Sequence, residues 1–431
     1  MTQVPDVQTL SVGPIVSLSP MERAEPGVPA ADVLETEPEE PPSGPRLAAR
    51  PRTRVRREHR ARRRLALVCN VRPSHVVNLA PMHDAALTDE NEEFDSPETI
   101  AALAQLFAQE GYSVTVLDAD RSLPRRLTTG NFELVFNIAE GRGGRCREAL
   151  VPALCEMLGL HYTGSDPLTL AATLDKDVAK RLLLGQVLTP AWRVVRRLTD
   201  LQDFDLPFPV IAKPNDEGSS KGIHDDCKCN NVEELECLCR RLLDDYGRPV
   251  LVETFVRGPE VTVGVVGNAQ PEVIGLMHVV PIGAQLDEPG DFVYSLQAKR
   301  DFANRVRYAI PPELAPDVCQ RLEVAALRAF RLLDCRDVAR IDFRVGPDGQ
   351  PYFIEANPLP GLSPTTGDLV IMARALGWTW ESLITRILRE AEFRQGVLRP
   401  MLVPRSEPKR RRPRTLELVA LTDDAAVAVV R

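Results

Sequence analysis

The 431-residue chain lacks any apolar run close to the roughly 20 residues that a membrane-spanning helix needs. It also lacks a secretory signal, because its first residues, MTQVPDVQTLSVGPIV, contain neither a basic start nor a long apolar block. We therefore expect a cytoplasmic protein without a membrane span. There is no excess of positive charge either, since the formal net charge is −8, which does not favour nucleic-acid binding by the chain as a whole. With 44% hydrophobic residues, the length suits two or three domains.

The cysteine pattern lacks the features of a disulfide framework and of a zinc site. Nine cysteines, an odd number, without a secretory signal favour reduced thiols in the cytosol. Cys227 and Cys229, and likewise Cys237 and Cys239, are separated by one residue, whereas zinc ligands are more often separated by two. The second pair also lies in a predicted helix, where positions i and i+2 point to different sides. A metal site with nearby His224 is therefore the less favoured interpretation, and any role of segment 227–239 stays open.

The N-terminal end of the chain has little apolar content, and the C-terminal end has a basic, proline-rich stretch before a short apolar end. Residues 1–64 are rich in proline and acidic residues and then contain ten arginines from Arg46 to Arg64. Such a composition predicts a disordered tail, and a solvated arm is favoured over nucleic-acid contact. Residues 399–431 form a second tail rich in arginine and proline.

Strand and helix signals alternate between the tails, and no internal repeat is present. The run LALVCNV (65–71) is typical of a buried strand, PETIAALAQLFAQEG (97–111) of an amphipathic helix, and YSVTVLDA and ELVFNIAE of two more strands. This βαβ order, followed by a helix over 147–158, predicts an open, mainly parallel sheet. From about Ser165 the order changes to a helix over 175–184, the strand PVIAKPN, a glycine-serine loop, a helix over 232–246 and the strand PVLVETFV.

The segment VARIDFRVGPDGQPYFIEANPLPGLSP is typical of a β-hairpin. The alternation places Arg340 with Asp342 on one face of the first strand and Glu355 with Asn357 on one face of the second. If the two faces coincide, two carboxylates, an amide oxygen and an arginine converge, and such oxygen ligands suit Mg²⁺. A solvated polar face is an equally good interpretation of the spacing alone.

The segment KPNDEGSSKG follows a strand and combines glycines, serines and a lysine, Lys213. Glycines allow close approach of the backbone to a ligand, and lysine supplies a point charge suited to phosphate. The Walker pattern GK[ST] is absent, so the loop by itself is a weak signal. Lys176 in TLDKDVAKRLL is weaker, because a lone helical lysine usually faces water.

Taken in order, these pieces resemble the D-alanine–D-alanine ligase branch of the ATP-grasp superfamily over about residues 65–396. The matching segments are FNIAEG, YTGSDPLTLAATLDK, AKPNDEGSSKGI, LVETFVRGPEVTVGV, the hairpin and a late ALGW. The resemblance implies an α/β and α+β architecture: a three-part ATP-grasp fold with an N-terminal open parallel-sheet domain at 65–165. A small ATP-clamp domain would follow at 166–256, and a C-terminal catalytic domain binding ATP and Mg²⁺ at 257–398.

The resemblance also implies roles for individual residues. Lys176 and Lys213 would hold ATP phosphates, and Lys299 would reach them from a mobile loop. Glu253 and the backbone of Val256 would meet adenine, and Glu260 the ribose. The implied metal ligands are Asp342, Glu355 and Asn357, for Mg²⁺ with Mn²⁺ as an alternative. The implied catalytic residues are Arg340 at the oxyanion, Ser219, which with Ser220 belongs to the loop closing over ATP, and Glu93, which would hold the amino group of the first substrate.

Three positions on the substrate side depart from the family pattern. Glu140 stands where the family usually has histidine, Arg300 where it has tyrosine, and Asp368 where it has serine for the terminal substrate carboxylate. The backbone near Gly361 would assist at the oxyanion. An acid at 368 is electrostatically unsuited to a substrate carboxylate unless a base such as Arg300 compensates.

The sequence therefore predicts an ATP-dependent carboxylate–amine ligase that forms an amide bond through an acyl phosphate from small-molecule acid and amine substrates. A ligase for a different amino acid and amine pair is the alternative, followed by a non-catalytic ATP-binding scaffold. A homodimer is compatible with the sequence, which fixes neither the substrates nor the oligomeric state.

Overall fold

The computed structural model describes residues 62–72, 89, 91–283 and 290–397. Both predicted tails lie outside these residues, except for the last three residues of the first one. Arg63 and Arg64 belong to the first strand, so the boundary predicted at residue 64 falls inside a strand rather than before it. None of the helices in the described ranges is both long and apolar enough to cross a membrane.

The described strands are β1 Arg63–Cys69, β2 Tyr112–Asp118, β3 Leu134–Asn137, β4 Trp192–Val195, β5 Val210–Pro214, β6 Lys228–Cys229, β7 Val250–Thr254, β8 Glu260–Gly267, β9 Glu272–Pro281, β10 Val306–Ala309, β11 Asp337–Val345 and β12 Pro351–Asn357. The α-helices are α1 Pro97–Gln109, α2 Leu123–Gly130, α3 Leu150–Leu158, α4 Pro167–Leu174, α5 Lys176–Leu183, α6 Val232–Tyr246, α7 Leu296–Arg300, α8 Phe302–Arg305, α9 Pro316–Leu332, α10 Asp368–Ala375 and α11 Trp380–Arg394. Short 3₁₀ helices cover Arg147–Ala149 and Leu198–Leu201.

The N-terminal sheet has the order β2-β1-β3, and both pairings are parallel. The apolar residues 65–69 of β1 are fully buried in this sheet. Helix α1 begins after Ser96, whose hydroxyl accepts from the Thr99 amide, and Pro97 occupies the first turn, where its missing N–H costs nothing. The predicted open parallel sheet is confirmed, and its core continues onto α10 and α11 from the far end of the chain.

A four-stranded antiparallel sheet, β4-β7-β5-β6, lies within the predicted range 166–256. Helix α6 packs on it through Leu235, Leu238 and Leu242. Cys227, Cys229 and Cys239 are buried in the same core. All nine cysteines are free, and the described residues contain no group of His, Cys, Asp and Glu arranged for a metal ion.

A five-stranded antiparallel sheet, β10-β9-β8-β11-β12, contains the predicted hairpin as β11 and β12. The register shifts between Asp342 and Phe343, an irregularity that the period-2 pattern did not predict. The helix predicted over 147–158 is instead a 3₁₀ turn followed by α3. Pro152 lacks an N–H and tolerates only the first turn of a helix, which favours the later start of α3 at Leu150.

Candidate active site

The polar faces of β11 and β12 coincide, as the strand pattern allowed. Arg340 pairs with Asn357 and Asp342 with Glu355 in the ladder. The Asn357 amide donates to Asp342 Oδ2 at 3.3 Å and to Glu355 Oε1 at 3.2 Å, and the Thr262 hydroxyl donates to Asp342 Oδ1 at 2.8 Å. Asp342 is only 7% exposed, so the interpretation of this face as solvated is wrong.

Arg340 bridges three carboxylates. Its guanidinium lies 3.0 Å from Asp342, 3.6 Å from Glu355 and 2.7 Å from Asp368. Burial raises the pKa of Asp342 despite the positive charge of Arg340. Burial alone would also raise the pKa of Glu355, but Lys176, Lys213 and Arg340 lower it below its ordinary value.

Helix α5 brings Lys176 to these carboxylates. Asp175 caps the helix by accepting from the Val178 amide. Asn215, which follows β5, accepts from the Asp177 amide through its side chain and from the Lys176 amide through its carbonyl. The start of α5 is therefore tied to the end of β5, and Lys176 Nζ lies 3.4 Å from Glu355 Oε2. Lys176 is 4% exposed, so the expectation that a lone helical lysine faces water is wrong here.

A second buried carboxylate, Glu253 on β7, lies between two more lysines. Lys213 at the end of β5 is 2.7 Å from Glu253 Oε2, and Lys180, one turn after Lys176, contacts Oε1. Burial would raise the pKa of Glu253, but the two ammonium groups lower it. Burial lowers the pKa of Lys180 to about 8, against the opposing effect of Glu253. We name this group the lysine cluster: Lys176, Lys180, Lys213, Glu253 and Glu355.

The hairpin face offers a donor set for a hard divalent cation. Two carboxylates, Asp342 and Glu355, lie beside the amide of Asn357, whose NH₂ group is used by those carboxylates and whose oxygen is not. Mg²⁺ prefers oxygen ligands and commonly takes one or two carboxylates together with substrate phosphates. The residues present therefore fit Mg²⁺.

The glycine-serine loop is anchored by Glu93, which precedes α1. Glu93 Oε1 accepts from the Gly218 amide at 2.9 Å and from Arg147 at 2.8 Å, and Lys221 lies 3.6 Å from Oε2. A Cβ at Gly218 would come within 2.5 Å of the Glu93 carboxylate, so a larger residue at this position would have to displace the Glu93 side chain. Glu93 thus contacts the loop in addition to any substrate role that the resemblance implies.

Ser219 and Ser220 both have positive φ angles, +50° and +59°. Such left-handed backbone is uncommon outside glycine and often marks functional loops. Ser219 lines the main cavity, whereas the Ser220 hydroxyl donates to the Tyr294 carbonyl at 3.3 Å.

Of the carboxylates that line the main cavity, we name three the acidic wall: Glu93, Glu140 and Glu148. Burial, together with the neighbouring carboxylates of Glu148 and Glu93, raises the pKa of Glu140 well above its ordinary value. Burial likewise raises the pKa of Glu148, although Arg147 acts in the opposite direction. In the lysine cluster three lysines lie beside two carboxylates, whereas in the acidic wall only Glu93 forms ion pairs, with Arg147 and Lys221.

Two adjoining cavities connect these groups. The larger, about 540 Å³, is lined by the acidic wall, Lys176, Arg340, Glu355 and Asn357. The smaller, about 70 Å³, is lined by Lys213, Glu253, Val256, Glu260 and Asp342. Lys299, Arg340, Glu355 and Asp368 line both. The predicted phosphate, metal and oxyanion residues therefore line two cavities that share part of their walls, and we call the two together the cleft.

The predicted adenine and ribose residues lie at the narrow end of this cleft. The Val256 carbonyl accepts from Arg344 at 2.7 Å, and Glu260 pairs with the same guanidinium at 3.1 Å. Burial raises the pKa of Glu260 against the opposing effect of Arg344. Arg344 also lies 4.7 Å from the centre of the Phe255 ring. This arginine therefore fixes the segment from which Val256 and Glu260 would contact a nucleotide.

The remaining predicted substrate residues lie at the wide end. Lys299 and Arg300 end helix α7, and Arg300, with its side chain 42% exposed, pairs with Glu92 at 3.2 Å. Gly361 and Asp368 line the large cavity. Asp368, at the start of α10, pairs with Arg340, so its charge is already offset by one base, though not by Arg300.

The sequence interpretation did not identify several residues of the site: Lys180, Arg147, Glu148, Lys221, Thr262 and Arg344. Lys180 carried a usable signal, since it lies one helical turn after Lys176 and shares its face. Glu148 and Arg147 had no recognisable sequence signal. Their burial depends on contacts between loops, and the sequence pattern does not predict such contacts.

Comparison with known proteins agrees with this arrangement. Residues 192–389 match the family model for the C-terminus of D-ala D-ala ligase. A D-alanine–D-alanine ligase of Anaeromyxobacter sp. strain K is 33% identical over 69% of this chain and 92% of its own length. The uncharacterised protein y4sG of Sinorhizobium fredii is 31% identical over 78% of this chain and 99% of its own length.

Solved structures show the same fold. A D-alanine–D-alanine ligase from Bacillus anthracis, complexed with ATP, matches with a TM-score of 0.58 and 18% identity over 78% of this chain and 99% of its own. The VanG D-Ala:D-Ser ligase from Enterococcus faecalis matches with a TM-score of 0.57 and 17% identity over 77% of this chain and 99% of its own. The three sheets and the cleft between them thus form an ATP-grasp fold. The chain belongs to the D-alanine–D-alanine ligase family.

Proposed function

We propose that this protein is an ATP-dependent ligase that joins a carboxylic acid to an amine through an acyl phosphate. One observation carries the proposal: Lys176 contacts Glu355 on the oxygen-rich face of the hairpin, and Lys213, from a separate element, also lowers the pKa of Glu355. Lysines suited to phosphate beside carboxylates suited to Mg²⁺ are what phosphoryl transfer from a nucleotide requires. The ATP complex of the Bacillus anthracis relative supports ATP as the nucleotide.

Each side chain of the cleft has a role in that chemistry. Lys176 and Lys213 would bind phosphate oxygens, with Lys299 and the Ser219–Ser220 loop covering them. Glu253, the Val256 backbone and Glu260 would hold the adenosine. Asp342, Glu355 and Asn357 would hold Mg²⁺, or Mn²⁺ in its place, which when bound neutralises charge on the phosphates.

The reaction is the formation of an amide in two substitutions. A carboxylate oxygen of the acid attacks the γ-phosphorus, and ADP leaves. The amine nitrogen then attacks the acyl carbon, phosphate leaves with the acyl oxygen, and the amine loses a proton. Arg340 and the backbone near Gly361 would stabilise negative charge on the carbonyl oxygen, and the closed loop would exclude water that otherwise hydrolyses the acyl phosphate.

The partners implied are small molecules, and D-alanine is the first acid and amine to test because the family relatives are named for it. A different amino acid and amine pair is the second candidate. Glu140, Arg300 and Asp368 depart from the family pattern, and Asp368 presents an acid at the wide end of the cavity. A cytoplasmic location, a homodimer and a solvated role of the arginine-rich tails remain predictions.

Positional isotope transfer tests the mechanism directly. The purified chain is incubated with ATP, Mg²⁺, hydroxylamine and carboxylic acids labelled with ¹⁸O. An acyl phosphate predicts one ¹⁸O atom in the released phosphate and the acyl hydroxamate as product. Glu355→Gln should abolish both, whereas Glu323→Gln, an exposed change on α9, should abolish neither. Absence of acid-dependent phosphate release with every acid tested contradicts the proposal and favours a non-catalytic scaffold.

A further inference from the structure

The charges around the acidic wall do not balance. Glu93 and Glu217 share two cations: Arg147 lies 2.8 Å from Glu93 and 3.6 Å from Glu217, and Lys221 lies 3.6 Å and 2.6 Å from the same two carboxylates. These four side chains neutralise one another. Glu140 and Glu148 face the same cavity and form no ion pair with any described residue, although the charge of Arg147 acts on both and that of Lys176 acts on Glu148.

Glu148 is the more telling of the two. It is 8% exposed and lines the large cavity, yet its side chain forms no hydrogen bond or ion pair with any residue that the structure describes. Its neighbour Arg147 is already held by Glu93 and by the Asp216 carbonyl at 2.8 Å. A buried carboxylate that lacks a partner is destabilising, so a site that retains one in a cavity wall is built for a ligand that supplies the partner.

The backbone holds both acids in place. Glu148 belongs to the 3₁₀ turn Arg147–Ala149, directly before α3. Glu140 precedes Gly141, whose φ is +76° and where a Cβ would come within 2.5 Å of the Arg147 carbonyl. The loop after β3 is thus folded against the 3₁₀ turn, both acids line the same cavity, and the carboxylate of Glu148 raises the pKa of Glu140.

We propose that Glu140 and Glu148 bind ammonium groups of an acid substrate that has two of them, so that the carboxylate activated at the lysine cluster belongs to a diamino carboxylic acid. This inference rests on the ligase function proposed above. Burial raises the pKa of both acids, so each is held as a carboxylate only when a cation such as an ammonium group lies beside it. Glu93, to which the family resemblance gives the substrate amino group, already has Arg147, Lys221 and the Gly218 amide as partners.

The position of the wall suits such a substrate. Lys176 and Glu355 act electrostatically on Glu148, so it lies close to the group that would receive the carboxylate. A compact amino acid can therefore reach the lysine cluster with its carboxylate and the acidic wall with its ammonium groups. The cavity of about 540 Å³ accommodates a side chain longer than that of alanine.

Hydroxamate formation with hydroxylamine as the amine tests the acid site without knowledge of the natural amine. Ornithine and lysine, each as D and L forms, are compared with alanine and with norleucine, the neutral counterpart of lysine, at saturating MgATP. We expect kcat/KM for the better diamino acid to exceed that for norleucine by roughly 10- to 100-fold, the range of a hydrogen bond between charged groups. Glu148→Gln should reduce this preference about tenfold or more through KM, with kcat changed little.

Three controls make the outcome decisive. Glu140→Gln should reduce the same preference, whereas the exposed change Glu323→Gln should leave it unchanged. Thermal melts and MgATP affinity establish that each variant is folded and binds nucleotide. Equal use of norleucine and the diamino acids, or an unchanged preference in Glu148→Gln, overturns the inference but leaves the ligase function intact. Failure of all acids with folded, ATP-binding protein overturns both.

Discussion

The two ends of the cleft treat buried carboxylates in opposite ways. In the lysine cluster, Glu253 and Glu355 each contact ammonium groups, and the pKa of both is lowered. In the acidic wall, Glu140 and Glu148 lack such partners, and burial raises the pKa of both. Glutamate is thus part of a completed network at one end, where every carboxylate has a cationic partner. At the other end the network is incomplete, because two carboxylates have no ion-pair partner.

This difference separates structural stabilisation from ligand binding. A paired buried charge is strongly destabilising to disrupt, because its partner is left without compensation. An unpaired buried charge is already unfavourable. Removing it raises the free energy of unfolding but also removes a contact for a ligand. The chain should therefore respond with opposite signs to one substitution, Glu→Gln, made at the two ends.

Glu253→Gln should have the largest effect. The substitution leaves Lys180 and Lys213 buried without a carboxylate, and we expect a loss of about 3–5 kcal/mol in the free energy of unfolding at pH 7. Burial already lowers the pKa of Lys180 to about 8, so the folded state favours the neutral amine. As pH rises above 8, Lys180 loses its charge and the loss should shrink, whereas the pKa of Lys213 is raised by Glu253 and Glu355 against the effect of burial. Urea denaturation of this variant and of Glu323→Gln, at pH 7 and 10, measures both effects; a loss below about 1 kcal/mol contradicts the pairing.

Arg340→Met should have the next largest effect, and this effect is on the rate of catalysis. Arg340 contacts Asp342, Glu355 and Asp368, and we propose that it stabilises negative charge on the acyl oxygen. Loss of one such electrostatic donor lowers kcat on the order of 10²–10³. Single-turnover hydroxamate formation at saturating ATP measures this, with Arg331→Met on the exposed face of α9 as the matched control. A reduction below about threefold would falsify the oxyanion role.

Glu148→Gln should raise stability, by about 1–3 kcal/mol at pH 8, because the amide removes the carboxylate charge whose burial raises the pKa of Glu148. The pKa of Glu148 in the folded state is about 8, above its ordinary value of 4.5, so the folded protein binds the additional proton between these values. The parent therefore loses stability as pH rises through this window, and the variant does not. Its advantage should be absent below pH 4.5, grow between pH 4.5 and 8, and stay constant above.

Thermal unfolding of the parent and of Glu148→Gln at pH 5, 6.5 and 8 checks this trend. If the variant is less stable than the parent at pH 8, then Glu148 is stabilised by a partner within the protein itself, without any ligand. In that case the contrast between the two ends of the cleft does not hold.

The sequence predicted the completed network better than the incomplete one. Period 2 placed Asp342 and Glu355 on faces that could coincide, and the ordered motifs linked them to Lys176 and Lys213. Whether those faces met, and whether Lys176 was buried, depended on pairing between distant strands and on Asn215 holding the start of α5. Strand periodicity alone contains no information on such long-range contacts.

The acidic wall shows where sequence reasoning stops. Glu140 was found because it stands at a motif position that usually holds histidine, but Glu148 lies in a segment that resembled the beginning of an ordinary helix. Its burial follows from the 3₁₀ turn and from the close approach of Gly141 to Arg147. Unpaired charge is a property of the folded surroundings, and it becomes visible only when all neighbours are in place.

Arg300→Gln should have the smallest effect on stability, and it sharpens the contrast by supplying an exposed reference. Arg300 and Glu92 are 42% and 22% exposed in their side chains and pair at 3.2 Å. Exposed ion pairs contribute about 0–1 kcal/mol and are screened by salt, so we expect a change within that range that decreases in 0.5 M NaCl. Urea denaturation at two salt concentrations measures it.

Because both residues line the large cavity, KM for the substrates can change even where stability does not. A stability loss as large as that of Glu253→Gln would mean that burial does not distinguish the two pairs, and the comparison between balanced and unbalanced carboxylates would then need another physical basis.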